Sequence, residues 1–136
     1  LIDWIPVFED KQIEYNIDIP EQPFRVKLDM DSYMRILNNL IQNVLAHSQA
    51  DRIGITMQKQ NETVQILLVD NGIGIGKEDL KHIFERLYKC DKGRSEKGSG
   101  LGLSIVYQLV EKMNGKITVE SEEGKGTVFT VTFPLI

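Results

Sequence analysis

Four short segments, three of them rich in glycine or asparagine, occur along a succession of amphipathic strands and helices, and their order constrains this chain more than any other feature. They are NNLIQNVLAHS (38–48), DNGIGI (70–75), FERLYK (84–89) and GSGLGLSI (98–105). One such segment alone carries little weight, because short Gly-x-Gly sequences occur by chance in many loops. Four in a fixed order, with local structure to match, indicate one composite site.

The periodicity around these segments predicts elements in the order ββαββα, a long loop, then αββ. Alternating apolar residues predict strands at 12–19, 24–28, 53–57, 64–68, 116–120 and 127–133. Apolar residues three or four positions apart predict helices at 31–47, 77–84 and 101–113. Because most neighbouring strands are close enough for hairpins, we expect an α/β (α+β) two-layer sandwich, with a mixed, mostly antiparallel sheet of about five main strands packed on three helices.

The regular pattern fails in residues 86–100, which combine glycines and many charges with few apolar side chains. A loop of this length inside a compact domain usually has a function, so we expect a mobile lid that closes over a ligand. Its cations would then face that ligand. A solvated charged loop is the alternative. The cations in question are Lys89, Lys92, Arg94 and Lys97.

Length and composition predict one domain over residues 1–136. Because the sequence begins at Leu1 and ends directly after a predicted strand, we expect it to be a fragment of a longer protein. The net charge of −4 and the absence of a long basic run argue against a nucleic-acid partner. Cys90 is the only cysteine, which excludes an intrachain disulfide and suits a reducing compartment. No apolar run approaches the roughly 20 residues that span a bilayer.

Asn39 and Asn43 are four residues apart on the first long predicted helix, so both project from one face beside its apolar stripe. An amide oxygen is a hard, neutral ligand that can complete the coordination of a Mg²⁺ ion already held by phosphate oxygens. Ordinary surface asparagines are the alternative.

Asp70 comes directly after a predicted buried strand and is followed by Asn-Gly-Ile-Gly-Ile. Its carboxylate is a candidate acceptor for the exocyclic amine of adenine, with Gly72 and Gly74 allowing close approach of the backbone to the base. A structural turn, in which the carboxylate bonds nearby amides, is the competing interpretation.

GSGLGLSI stands where a glycine-rich loop becomes a helix, and free amides at a first helical turn favour phosphate oxygens. A flexible hinge is the alternative. The strand that precedes the glycines in dinucleotide-binding folds is absent, as is the lysine of a Walker loop, so neither of those folds is favoured.

Taken together, NLIQNVLAHS, DNGIGI, IFERLYK and GSGLGLSIV resemble the four motifs of the ATP-binding catalytic domain of bacterial sensor histidine kinases. Their superfamily includes gyrase, the heat-shock chaperone of ninety kilodaltons and the mismatch-repair ATPases. The resemblance covers essentially the whole chain, including GKGTVFTVTFP near its end. It implies a Bergerat-type fold with a mobile ATP lid at about 86–100, and ATP and Mg²⁺ as cofactors.

The resemblance also implies roles for individual residues. Asn43 matches the Mg²⁺-binding asparagine, Asp70 the adenine-binding aspartate, and Phe84 the anchor of the lid, although a core aromatic explains Phe84 equally well. Thr127 is expected to reach adenine through water, with a cross-strand threonine as the alternative. The further residues expected to contact the nucleotide are Asn39, His47, Gly72, Gly74, Ile75, Tyr88, Lys89, Gly98, Ser99, Gly100, Leu101, Gly102 and Leu103. Those expected in catalysis are Asn39, Asn43, Arg94 and Lys97.

Asn39 separates branches of the superfamily, because hydrolytic members carry a glutamate there that activates water. An amide cannot accept that proton, which favours phosphate transfer over hydrolysis. Ala46 departs from the pattern, since many members have a phosphate-binding lysine at that position. His47 and His82, the only histidines, do not stand in the sequence context of a phosphoacceptor.

The resulting prediction is a protein histidine kinase domain that transfers the γ-phosphate of Mg·ATP to a histidine on a separate dimerisation domain, upstream of a response regulator. The isolated domain is expected to be monomeric and cytoplasmic, and the full-length kinase to be a membrane-anchored homodimer. Two alternatives remain open, namely an anti-sigma-factor-type serine kinase and a nucleotide-sensing module without transferase activity.

Overall fold

The computed structural model describes residues 4–18, 30–45, 49–60, 62–84 and 102–134. These residues form a five-stranded sheet in the order β1-β2-β3-β5-β4, in which β1 runs parallel to β2 and the other neighbours are antiparallel. The elements are α1 (Ile5–Asp10), β1 (Glu14–Asp18), α2 (Met30–Asn43), β2 (Arg52–Gln60), β3 (Thr63–Asp70), α3 (Lys77–Leu80), α4 (Gly102–Lys112), β4 (Lys116–Glu122) and β5 (Gly126–Pro134).

The predicted mixed sheet on a helical layer is therefore confirmed. One face of the sheet carries the apolar core, which α2 and α4 share through Ile36, Leu40, Val106 and Val110. The chain reaches β2 from β1 by way of α2, because parallel neighbours need a crossover where antiparallel ones need only a hairpin. None of the helices in the described ranges is long and apolar enough to cross a lipid bilayer.

Helix α1 was not predicted, because six residues are too few to show a helical period. Its Phe8 is fully buried, and the Phe8 ring lies 6.3 Å from that of Trp4 and 5.8 Å from that of Tyr15. Trp4 Nε1 also donates a hydrogen bond to Asn38 Oδ1 on α2 at 2.9 Å. Tertiary contacts of this aromatic group, rather than local propensity, hold α1 in place.

The helix predicted at 77–84 was too long, because only Lys77–Leu80 is α-helical. After Leu80 the amide of His82 bonds the carbonyl of Asp79 three residues back, so the chain tightens into a turn. The strand predicted at 24–28 lies outside the described residues, as do the end of the helix predicted to reach 47 and the lid at about 86–100.

The core face of the sheet is arranged in cross-strand rows, and the described row at the end of β3 contains three polar side chains. Two successive rows are wholly apolar: Met57, Ile66, Val131 and Ile117, followed by Ile55, Leu68, Phe129 and Val119. The next row, at the end of β3, consists of Ile53, Asp70, Thr127 and Ser121. The sequence alternation thus carries three polar side chains to one end of the core.

Candidate functional site

Asp70 is the last residue of β3 and the last of its buried side chains, and it is only 5% exposed. Its Oδ1 accepts a hydrogen bond from the amide of Gly72 at 2.8 Å, which is the structural turn that sequence reasoning weighed as the alternative. Burial raises the pKa of this carboxyl, and hydrogen bonds from the backbone of Gly72 and Thr127 partly oppose that rise. A carboxylate has about four lone-pair sites, so these bonds leave acceptor capacity for a ligand.

Gly74, in the loop after Asp70, is required by the protein's own packing. Gly74 has φ +75°, and a Cβ at that position would overlap the carbonyl oxygen of Glu122. The amide of Gly124 donates to the carbonyl of Ile73 at 2.7 Å, which joins the same loop to the β4–β5 turn. Gly72 is buried. The loop is therefore seated on the adjacent hairpin, a reason for Gly74 that the sequence did not reveal.

Ser121 is a site residue that sequence reasoning missed. Its Oγ accepts from the amide of Ile75 at 2.7 Å, donates to the carbonyl of Gly126 at 2.8 Å, and lies 2.8 Å from Thr127 Oγ1. The strand predicted at 116–120 ended one residue before Ser121, whereas β4 extends to Glu122. Extending the alternation of Ile117 and Val119 by one step would have placed this hydroxyl on the core face.

Asn71, inside the second segment, fastens the turn to the start of β2. Its Oδ1 accepts from the amides of Asp51 at 3.1 Å and Arg52 at 3.0 Å, and its Nδ2 donates to Asp51 Oδ1 at 2.6 Å. The side chain is exposed, yet both ends of its amide are used. Asn71 thus positions the turn in which Asp70 and Gly72 lie.

Asn39 and Asn43 lie on α2, and both are half-buried beside the buried stripe of that helix, as the spacing predicted. The stripe contains Ile36, Leu37, Leu40, Ile41 and Val44. The hydrogen bond that Trp4 donates to α2 is accepted by the neighbouring Asn38. No three His, Cys, Asp or Glu side chains cluster around a common point in the described ranges. Asn43 is half-buried near the end of α2, one turn after Asn39.

The described part of the chain brings together Asp70, Gly72, Gly74, Ile75 and Thr127 through the turn, the paired strands and the Ser121 hydroxyl. Gly102 opens α4, and Leu103 packs against the core in half-buried form. Phe84 also packs against the core, with its ring 5.4 Å from that of Tyr107. Outside the described residues lie His47, Tyr88, Lys89, Arg94, Lys97, Gly98, Ser99, Gly100 and Leu101.

Comparison with protein families finds one match, covering residues 28–136, to the family described as histidine kinase-, DNA gyrase B-, and HSP90-like ATPase. Among curated proteins, the sensor histidine kinases WalK, YclK and YcbM of Bacillus subtilis are 34%, 42% and 35% identical over 98%, 93% and 97% of this chain. The matched regions make up 23%, 27% and 43% of those proteins, so the chain spans less than half of their length.

Two solved structures have the same fold. The mycobacterial sensor histidine kinase MprB is 25% identical, with a TM-score of 0.84 over 98% of this chain and 92% of that one. Full-length ShkA, in complex with AMPPNP, is 26% identical, also with a TM-score of 0.84, over 98% of this chain and 28% of that one.

Proposed function

Because the chain belongs to the family of histidine kinase-, DNA gyrase B- and HSP90-like ATPases, we propose that it is the ATP-binding catalytic domain of a two-component sensor histidine kinase. Over residues 1–136 it would bind Mg·ATP and deliver the γ-phosphate to a histidine on the dimerisation domain of the same kinase. The acceptor histidine would then pass the phosphate to a response regulator.

The observation that carries this proposal is the polar end of the core, where Asp70 and Thr127 stand opposite each other on β3 and β5. Both side chains are 5% exposed, in a row that continues two apolar rows. A buried carboxylate is costly, and such groups are concentrated at functional sites. Here the carboxylate is an acceptor at the edge of an apolar surface, which suits the amine of a flat apolar base.

Asn43 supports the metal part of the proposal. It contributes a single neutral oxygen from the end of α2, so a bound Mg²⁺ would take its remaining ligands from phosphate oxygens and water. When bound, the ion neutralises charge that develops on the transferring phosphoryl group. Asn39, one turn earlier, lacks the basicity needed to activate water, which directs the phosphate toward a protein acceptor.

The lid part of the proposal rests on sequence resemblance. Lys89, Arg94 and Lys97 would supply positive charge to the phosphates, in place of the lysine that many relatives have at the position of Ala46. The amides of Gly98 to Gly102 would bind phosphate oxygens at the start of α4. The other residues that we propose to contact the nucleotide from this side of the site are His47, Tyr88, Ser99, Leu101 and Leu103. Catalysis would come mainly from positioning and charge neutralisation.

The relatives named above are sensor histidine kinases, which favours a histidine acceptor over a serine acceptor. We extend the proposal to the whole protein as a membrane-anchored homodimer whose catalytic domain faces the cytoplasm and is monomeric when isolated.

The acid stability of the product tests this function. The chain is mixed with Mg·ATP labelled on the γ-phosphate and with the purified dimerisation domain of the same kinase. We expect phosphate on that domain that is labile in acid and stable in alkali, as a phosphohistidine is. The reverse stability would indicate a serine kinase. Nucleotide binding without any transfer would contradict the kinase assignment and leave a binding module.

A further inference from the structure

The Ser121 hydroxyl contacts three polar groups at once. The donor and the acceptor are certain for two of these hydrogen bonds and open for the third. The carbonyl of Gly126 cannot donate, so Ser121 must provide the proton for that 2.8 Å bond. The amide of Ile75 can only donate, and it fills one lone pair of Ser121 Oγ at 2.7 Å. The third contact, to Thr127 Oγ1 at 2.8 Å, has either oxygen as its possible donor.

Counting protons settles the direction of that third bond. A serine hydroxyl has one proton and two lone pairs, and the proton of Ser121 is already committed to Gly126. All three contacts are hydrogen bonds only if Thr127 donates to the remaining lone pair of Ser121. The proton of Thr127 is then directed along the row toward β4 and away from Asp70.

This direction fixes what Thr127 offers to a ligand. With its proton occupied, Thr127 Oγ1 has only lone pairs left, and its neighbour across the strands is the Asp70 carboxylate, which also accepts. The two side chains form an acceptor pair at the end of the core. A 6-aminopurine presents donor hydrogens from its amine, whereas a 6-oxopurine presents an acceptor oxygen there.

We propose that Ser121 is a specificity-determining positioning residue, which orients the Thr127 hydroxyl as an acceptor for direct contact with the base, rather than contact through water, and thereby favours 6-amino over 6-oxo purine nucleotides. This inference rests on the proposed nucleotide-binding function. Ser121 acts through Thr127 and does not itself contact the base. A fixed proton direction of this kind contributes discrimination because a mismatched acceptor would leave buried lone pairs unpaired.

The test compares binding of ATP and of inosine triphosphate, its 6-oxo analogue, by calorimetry on the 136-residue chain. In Ser121→Ala the Thr127 hydroxyl is free to rotate and to donate to the 6-oxo group. We expect the preference for ATP over inosine triphosphate to fall about three- to tenfold relative to the unaltered chain, the effect of one hydrogen bond. Ser121→Thr, which restores a hydroxyl, should restore the ratio.

Repeating the substitution in a chain that already carries Thr127→Val separates this effect from simple loss of structure. In Thr127→Val the hydroxyl through which Ser121 acts is gone, so adding Ser121→Ala should leave the affinity ratio unchanged. Thr130→Val removes a hydroxyl from the same strand at a position on the opposite face of the sheet, and it should bind both nucleotides as the unaltered chain does.

Distinct results overturn the inference and the proposed function. If Ser121→Ala weakens both nucleotides equally, Ser121 is only structural and the inference is wrong. Should that variant fail to fold, Ser121→Cys keeps the volume with a weakly bonding thiol, and an unchanged ratio there has the same meaning. If the unaltered chain binds both nucleotides equally, the inference fails while the function stands. Failure of the unaltered chain to bind ATP would contradict the function itself.

Discussion

Asp70 on β3 and Thr127 on β5 are paired across the two strands, and each is 5% exposed in the row that follows two apolar rows of the core face. The carboxylate is held by the amide of Gly72, and the threonine hydroxyl is in contact with Ser121. Burying these groups costs free energy that an apolar row would not. Their arrangement supports the nucleotide site proposed above.

Burial of the Asp70 carboxyl predicts a pH dependence of stability. Its pKa is raised above the ordinary value of 3.8, so between 3.8 and the raised value the folded chain holds a proton that the unfolded chain has lost. Stability therefore increases as the pH falls through the raised pKa, and the penalty of the buried charge applies above it. Asp70→Asn removes this titration.

The measurement is urea unfolding of both proteins from about pH 7 to about pH 4, with stability expressed as the free energy of unfolding. We expect the value of the unaltered chain, minus that of Asp70→Asn, to rise as the pH falls. A difference that stays constant or decreases would show that burial does not govern this carboxyl.

Asp70→Asn should also change nucleotide preference. The amide places donor hydrogens where the adenine amine needs an acceptor, so affinity for ATP should fall by about tenfold, the effect of losing one charge-assisted hydrogen bond. GTP binding should fall less, so the preference for adenine over guanine narrows. Titration calorimetry with both nucleotides checks this, and equal losses for the two would argue against contact with the base.

Gly74 and Gly124 form a matched pair for testing the packing of the loop on the hairpin. Both have a positive φ, +75° and +81°, but a Cβ at Gly74 would overlap the Glu122 carbonyl, while one at Gly124 meets nothing within 4 Å. The left-handed conformation costs an alanine about 1–2 kcal/mol at either position. Gly74→Ala carries the steric overlap in addition.

We therefore expect Gly74→Ala to lower the free energy of unfolding by more than Gly124→Ala does, and to weaken ATP binding because the loop must move. Urea unfolding and calorimetry measure the two effects. Equal destabilisation of the two variants would show that the loop and the hairpin separate freely.

Asn71→Ala should loosen the turn from β2. It removes an acceptor for two backbone amides and a donor to Asp51, and the exposed position lets water replace part of the loss, so we expect a destabilisation of about 1 kcal/mol. Asn16→Ala, on the exposed side of β1, is the control and should change stability by no more than about 0.5 kcal/mol. Identical unfolding curves for both variants would rule out an anchoring role.

Asn43→Ala should remove the dependence of ATP affinity on Mg²⁺ while leaving the unfolding free energy nearly unchanged, because we propose that its half-buried amide binds the metal and not another part of the fold. Asn38→Ala on the same helix should lower the unfolding free energy and leave the Mg²⁺ dependence of ATP affinity intact, since it loses the hydrogen bond from Trp4 that holds α1. ATP titrations with Mg²⁺ and with a chelator, alongside thermal unfolding, separate the two. A full Mg²⁺ effect in Asn43→Ala would exclude it as a ligand.

The alternation of apolar residues predicted most of the sheet, and the order of the four segments predicted the family. Local signals failed where tertiary contacts override them. Helix α1 is held by Phe8 and Trp4 and does not follow from its own short sequence. The last residues of β4, which pair with β5, instead continue an alternation that the sequence already contains. The predicted helix at 77–84 was too long because the chain tightens into a turn after Leu80, where the amide of His82 bonds the carbonyl of Asp79.

The sequence by itself determined that this chain carries an ordered set of nucleotide-binding motifs on a strand and helix framework, and that Asp70 ends a buried strand. Only the tertiary structure decided what surrounds that carboxylate. Register between β3, β5 and β4 places Asp70, Thr127 and Ser121 in one row, although Asp70 is far from the other two in sequence. Side-chain periodicity is a local property that a sequence records, whereas register depends on contacts between distant segments.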